Sequence, residues 1–269
     1  MSETSSDQPA ALVERRGHVM IVTLNRPKAR NAVNRALWVD VGKALAEAER
    51  DLEVRVVIIT GAGDQSFCAG ADLKALSRGE TIAPEDAEQQ AWGFAGIVSH
   101  AISKPLIAAV NGTALGGGTE IALACDLAVA ADSASFGLPE VKRGIVAGAG
   151  GAFRIVQQLP KKIAMEMLLT GDPIDAARAL ELGLVNAVVP RSELIDAALA
   201  LAERIAVNAP VSVQASKRIA LGIANGKIAA DEPLWARSHS EGKVVMRSED
   251  AKEGPRAFAE KRKPVWKGR

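Results

Sequence analysis

The chain has no tyrosine, and its aromatic residues amount to five phenylalanines and four tryptophans in 269 residues. So few rings exclude a stacking platform for single-stranded nucleic acid. Charge of one sign is also missing: 33 lysines and arginines face 32 acidic residues, for a net charge of +1. No bulk field therefore draws the chain onto a phosphate backbone or an anionic membrane. Its two cysteines, Cys68 and Cys125, supply neither a disulfide framework nor a spaced set of zinc ligands. The carboxylates likewise show no metal-binding pattern. No uncharged apolar run reaches the roughly 18 residues of a membrane helix; the longest candidate, 121–131, is cut by Asp126. Residues 1–10 are polar and acidic, unlike a signal peptide. These absences lead us to expect a soluble cytoplasmic protein without nucleic-acid or membrane partners, opening on a flexible tail over residues 1–15.

With 48% hydrophobic and 24% charged residues, the composition is that of a chain with a sizeable core. Strands are expected at 18–24, 55–60, 106–110 and 127–130, all rich in Val, Ile and Ala. Helices are expected at 34–51, capped by Asn34, at 85–101 as a polar helix, and at 117–124. This alternation gives an α/β class with right-handed crossovers. Beyond Gly150 helical patterns take over at 152–158, 162–170, 175–182 and 193–208, interrupted by a short strand at 187–189. Gly183 stands where a helix C-cap belongs. From Val211 onward only helix signals remain, and the last fourteen residues are basic.

Three places have the residue types that chemistry needs. Gly116, Gly117 and Gly118 lie between a strand-like and a helix-like run. Such a turn leaves backbone N–H groups at the positive end of a helix, where an anion or a developing oxyanion is stabilised. The same turn also serves simply to pack two elements closely. The loop from Ser66 to Asp72 is a second set of small residues after a strand, able to bring another N–H to the same place. Gly61 and Gly63 lack the third glycine of a dinucleotide fingerprint, and no phosphate-loop pattern is present. Glu120 stands in the first turn of an otherwise apolar helix, and Glu140 follows the run Phe136-Gly-Leu-Pro139. Apolar surroundings and a second carboxylate both raise a carboxyl pKa, which would make an acid and a base from one residue type. Ordinary roles also fit: a charge offsetting the helix dipole for Glu120, a solvated loop position for Glu140. Cys68 reads as a small core residue, and His18, His100 and His239 share no spacing with a nucleophile.

The segments Val110–Glu120, Ser66–Asp72 and Phe136–Glu140 through Gly151, in that order, resemble the signature of the enoyl-CoA hydratase/isomerase (crotonase) superfamily. The closing segment, 248–269, also resembles that of carnitinyl-CoA dehydratases. The resemblance implies a crotonase-like spiral of ββα units over 16–200, then a helical oligomerisation module over 201–269 that builds a homotrimer or a dimer of trimers. It implies an acyl-CoA thioester as substrate and no cofactor, CoA being part of that substrate. By position it makes Ala69 and Gly117 the backbone donors to the thioester oxygen. Glu120 becomes the base that activates water and Glu140 the acid that delivers a proton to the α-carbon. CoA contacts are implied for Lys28, Ala29, Arg30, Gly70, Ala71, Asp72 and Leu73, and, often from a neighbouring subunit, for Phe258 and Lys261 near the nucleotide. The chain departs from common versions at Thr113, Leu138 and Ala147. The implied reaction is hydration of a 2-enoyl-CoA. Dehydration of carnitinyl-CoA, double-bond isomerisation and mere acyl-CoA binding stand as alternatives; Trp92 and Phe94 are the aromatics to inspect for a quaternary ammonium, with packing their commoner role.

Overall fold

A computed structural model describes residues 8–269. The first part of the expected tail, residues 1–7, lies outside the described residues. The rest of it does not behave as a tail: β1 (Ala11–Arg16) pairs antiparallel with β2 (Val19–Leu24). After β2 come α1 (Arg35–Arg50), β3 (Val56–Gly61), β4 (Ser66–Cys68), α2 (Leu73–Ser77) and α3 (Ala87–Ala91). Next are β5 (Leu106–Val110), β6 (Thr113–Leu115), α4 (Gly117–Ala124), β7 (Leu127–Ala131) and β8 (Ser135–Gly137). Then follow α5 (Gly151–Gln158), α6 (Lys161–Thr170), β9 (Ile174–Asp175), α7 (Ala176–Glu181), β10 (Ala187–Val189) and α8 (Leu194–Ala206). The chain ends with α9 (Pro210–Leu221), a hairpin of β11 (Ile223–Ala224) and β12 (Lys227–Ile228), α10 (Glu232–Arg247) and α11 (Glu249–Ala259).

Strands β1-β2-β3-β5-β7-β10 form a six-stranded sheet, parallel from β2 onward. Its residues alternate between two cores, as the pleat requires. Met20, Val22, Val57, Ile59 and Ala108 join Leu37, Val41 and Leu45 of α1. Val19, Ile21, Val56, Ile58, Ile107 and Val129 join Leu194, Ala198, Ala202 and Ala206 of α8. The alanines repeat every fourth residue, so one narrow helix stripe lies close on the sheet. A second sheet, β4-β6-β8-β9, runs beside the first. The chain thus gives one strand to each sheet before a helical segment, three times over: β3–β4–α2, β5–β6–α4, and β7–β8 followed by a 3-10 helix at Pro139–Arg143. This is the wound ββα arrangement expected from the resemblance.

The polar helix expected over 85–101 is largely absent. Only Ala87–Ala91 is α-helical, because Gly93, Ala95 and Gly96 all take positive φ. A side chain on Gly96 would stand 2.5 Å from the Trp38 carbonyl, so this backbone is pressed directly onto α1. The C-terminal stretch is also not purely helical, since the β11–β12 hairpin interrupts it. The expected boundary at residue 200 falls inside α8, whose packing on the large sheet places the end of the core beyond Ala206.

Asn34 caps α1 as expected, its Oδ1 accepting the Leu37 N–H at 3.0 Å. Asn34→Ala should cost about 1 kcal/mol of stability, read as a lower urea midpoint with an unchanged slope.

Candidate active site

The small sheet brings the site together. Its strands β4, β6 and β8 are adjacent and parallel, with Cys68 beside Ala114 and Leu115 beside Gly137. Their carboxyl ends therefore deliver three neighbouring segments: the loop 69–72, the start of α4, and the 3-10 helix bearing Glu140. Thr119 ties the last two together. Its hydroxyl shares a proton between the carbonyls of Ala114 at 2.7 Å and Gly137 at 2.9 Å, and accepts the Gly137 N–H at 3.0 Å. Sequence reasoning passed over Thr119, although it directly precedes Glu120.

Both glutamates are buried, at 3% exposure for Glu120 and 9% for Glu140. Glu120 Oε1 accepts the Gly151 N–H, the first of α5, at 2.8 Å. Burial pushes Glu120 up to about 8, helped by the neighbouring Glu140 and opposed by backbone N–H groups of Gly151 and Ala149 and by Arg154. Burial likewise pushes Glu140 up to about 7, against the pull of its own backbone N–H. Two such neighbours lose their protons as a pair, so near neutral pH they hold about one between them. Glu140 Oε2 is buried with no hydrogen-bond partner among the described residues. Glu140 is not the solvated loop residue that the sequence also allowed, and Glu120, in the first turn of α4, is buried as well.

Glycine is required here by space. A side chain on Gly151 would lie 2.8 Å from Glu120 Cγ, and one on Gly116 would lie 3.0 Å from Glu140 Oε1. Gly70, at φ +88°, faces the Gly117 N–H: a Cβ there would stand 3.1 Å from that nitrogen. The two glycine-rich loops therefore meet, as the sequence suggested. The donor assignment needs one correction. The Ala69 N–H is used by the Arg30 carbonyl at 3.1 Å, while Gly70 and Val33 complete the bridge through Val33 N–H and Asp72 N–H. Among the described residues, the N–H groups of Ala71 and Gly117 have no backbone acceptor. Ala71 replaces Ala69 because Gly70, at φ +88°, breaks the strand alternation between the Ala69 and Asp72 N–H groups that bond to residues 30–33, which leaves the Ala71 N–H turned away from that segment.

The same bridges place Arg30 and Val33 beside Ala69, Gly70 and Asp72, with Arg30 held at φ +53° and Lys28 and Ala29 preceding it in the 3-10 turn Pro27–Ala29. Asp72 is occupied structurally: it caps α2 by accepting from Lys74 and Ala75 and pairs with Arg26 at 2.9 Å. Leu73 is exposed. Within one chain Phe258 and Lys261 do not join this loop. Phe258 lies at the end of α11 with the Arg143 guanidinium 4.1 Å above its ring, and no hydrogen bond or ion pair among the described residues links either residue to the Lys28–Arg30 loop. Trp92 packs on Gly42 of α1 and stacks on His100, outside the site, whereas the Phe94 ring abuts Gly117. Leu138, fully buried, packs against Gly151 next to Glu120. Cys68 is buried in the core as read from the sequence, its thiol pushed up to about 12 by burial.

Both carboxyls ionise at about 4.5 when unperturbed, so the folded chain keeps protons that the unfolded chain has lost between there and about 8. Stability from the pair is full below about 4.5 and is lost as pH rises through 7 to 8. Glu140→Gln should therefore melt above the parent at pH 9, with the gap closing at pH 4, as read by calorimetry across pH.

Comparison with known proteins places these features in a family. The enoyl-CoA hydratase/isomerase family profile matches residues 14–269. A carnitinyl-CoA dehydratase of Proteus mirabilis is 46% identical over 258 residues, covering 94% of this chain and 97% of the relative. That of Citrobacter koseri is 47% identical over 259 residues, covering 95% and 97%. Among solved structures, a carnitinyl-CoA hydratase from Mycobacterium avium is 64% identical with a TM-score of 0.95, covering 97% of this chain and all of that one (100%). An enoyl-CoA hydratase from Mycobacterium tuberculosis H37Rv is 46% identical with a TM-score of 0.75, covering 97% and 100%. With the profile spanning nearly the whole chain and relatives this similar along their full length, the chain belongs to the enoyl-CoA hydratase/isomerase family, as one of its hydro-lyases.

Proposed function

We propose that this hydro-lyase interconverts carnitinyl-CoA and crotonobetainyl-CoA, removing or adding water across the α,β bond. The observation that carries the chemistry is the pair of buried glutamates sharing about one proton beside the free N–H groups of Ala71 and Gly117. The names of the relatives carry the substrate, and they favour it over the plain 2-enoyl-CoA that the sequence put first.

In the hydration direction the thioester oxygen accepts from Ala71 and Gly117, so negative charge can collect there as an enolate. The N-terminus of α4 adds its positive end to the same spot. Glu120, as carboxylate, takes a proton from water attacking the β-carbon, and Glu140, as acid, gives its proton to the α-carbon. In the dehydration direction Glu140 removes the α-proton and Glu120 protonates the departing hydroxyl. One proton on the pair serves both directions. Glu120 takes the base role from its place in the family signature; Gly151 N–H, Ala149 N–H and Arg154 favour its ionised form, against burial and Glu140, which oppose it more strongly. The acyl group of carnitinyl-CoA carries a quaternary ammonium, and the net negative charge left on the pair, with the half-buried Phe94 ring beside Gly117, suits it.

A trimer or dimer of trimers belongs to the same proposal. Val211, Ile219, Val244 and Met246 are exposed on α9 and α10, a supply of apolar surface for subunit contacts. Light scattering behind a sizing column should give a mass of three or six chains; a monomer would remove this part of the reading.

Purified protein should change the enoyl thioester absorbance of crotonobetainyl-CoA rapidly, with a higher kcat/KM than for crotonyl-CoA. Glu120→Gln and Glu140→Gln should each lose at least about a hundredfold in kcat. A preference for crotonyl-CoA would return the reading to a general enoyl-CoA hydratase. Activity retained in either variant would defeat the acid–base assignment.

A further inference from the structure

Behind the turn that holds Glu120 lies a buried cation that the reaction described above does not touch. Arg154 is only 8% exposed and sits on α5, three residues after Gly151. Its guanidinium folds back to the N-terminal turn of α5, beside Gly150 and so next to the Gly151 N–H given to Glu120. Its Nη2 donates to the Val98 carbonyl at 2.8 Å and meets Asp231 Oδ2 at 3.3 Å. The rings of Phe153 and Trp235 flank it, each centroid 5.3 Å from Cζ. Nη1 is buried with no hydrogen-bond partner among the described residues and presses on the turn itself, since a Cβ on Gly150 would stand 2.7 Å from it. A strongly desolvated charge held by a single carboxylate is costly unless its field is used elsewhere.

We propose that Arg154 is a positioning residue of the acid–base pair: fixed by Val98 and Asp231 behind the Gly150–Gly151 turn, its charge works against burial and Glu140 and favours the carboxylate form of Glu120 that activates water. This rests on the reading of Glu120 as the base. The groups that face Glu120 support it. Glu140, from the 3-10 helix, opposes ionisation, and Arg154, from α5, favours it. The thiols of Cys68, behind Gly118, and Cys125, at the end of α4, are pushed up to about 12 by burial and stay neutral. Asp231, which precedes α10, bears on Glu120 only through Arg154. The C-terminal helices thereby reach the base through one ion pair.

The test compares the parent with Arg154→Lys and Arg154→Met by the pH dependence of kcat/KM for crotonobetainyl-CoA hydration. Loss of the cation should raise the pKa of Glu120, moving the acid limb about one pH unit or more toward alkaline values. Arg154→Lys should leave the limb in place even if kcat falls. A limb unmoved in Arg154→Met, or moved equally in Arg154→Lys, would overturn the proposal and leave a packing role. Carboxyl-13C NMR of the full-length protein, with the signal assigned by Glu120→Gln, reads the same shift without turnover. A midpoint raised in Arg154→Met would uphold the proposal even where the parent proves inactive on this substrate, and an unmoved one would overturn it. If Arg154→Met does not fold, Arg154→Gln takes its place in both measurements.

Discussion

Burying two carboxyl groups side by side is the constraint around which the molecule is arranged. In water each would ionise freely; inside the chain each resists, and the resistance of one is increased by the charge of the other. Such a pair persists only where the surrounding backbone cannot relax, because any loosening would let water in and restore ordinary acidity. The rigidity comes from strand order. Glu120 and Glu140 leave neighbouring parallel strands at the same level, and the Thr119 hydroxyl closes the gap between those strands. The larger sheet, closed by α1 on one face and α8 on the other, holds the strands that feed the smaller one.

The glycines serve the same end by permitting close approach. Gly151 brings the start of α5 against Glu120, and Gly118 lies so near β4 that a Cβ would stand 2.0 Å from the Cys68 carbonyl. Helix ends and strand ends thus meet at backbone distance, and a carboxylate placed among them receives N–H groups instead of water. Energy lost in burying acids is partly offset by charge-assisted hydrogen bonds. What remains unbalanced is the elevated acidity range that makes proton exchange near neutral pH feasible.

The sequence disclosed the ingredients more readily than their meeting. Glu120 stood out as a carboxylate in an apolar helix behind three glycines, and the long strands were legible because Val and Ile repeat through them. The strands β4, β6 and β8, each of three residues, are too short to show any alternation, so the sheet that assembles the site left no pattern. The free donor was placed at Ala69 and lies at Ala71, because the choice depends on a carbonyl of Arg30, some forty residues earlier in the chain. Periodicity read a helix through Gly93 and Gly96, where contact with α1 required a different backbone. Arg154 was hidden within an ordinary amphipathic stretch; only its burial distinguishes it.

The donors proposed for the thioester oxygen are main-chain N–H groups, of Ala71 and Gly117, and this has an evolutionary consequence. No exchange of side chains at those two positions deletes the donors, save one to proline. Polarisation of the carbonyl is thus inherited with the fold, while the residues that choose the acyl group and move the protons are side chains, each open to replacement singly. A scaffold divided in this way can change its reaction without first losing its grip on the thioester. Descendants can explore new substrates from a partly active starting point rather than from an inert one.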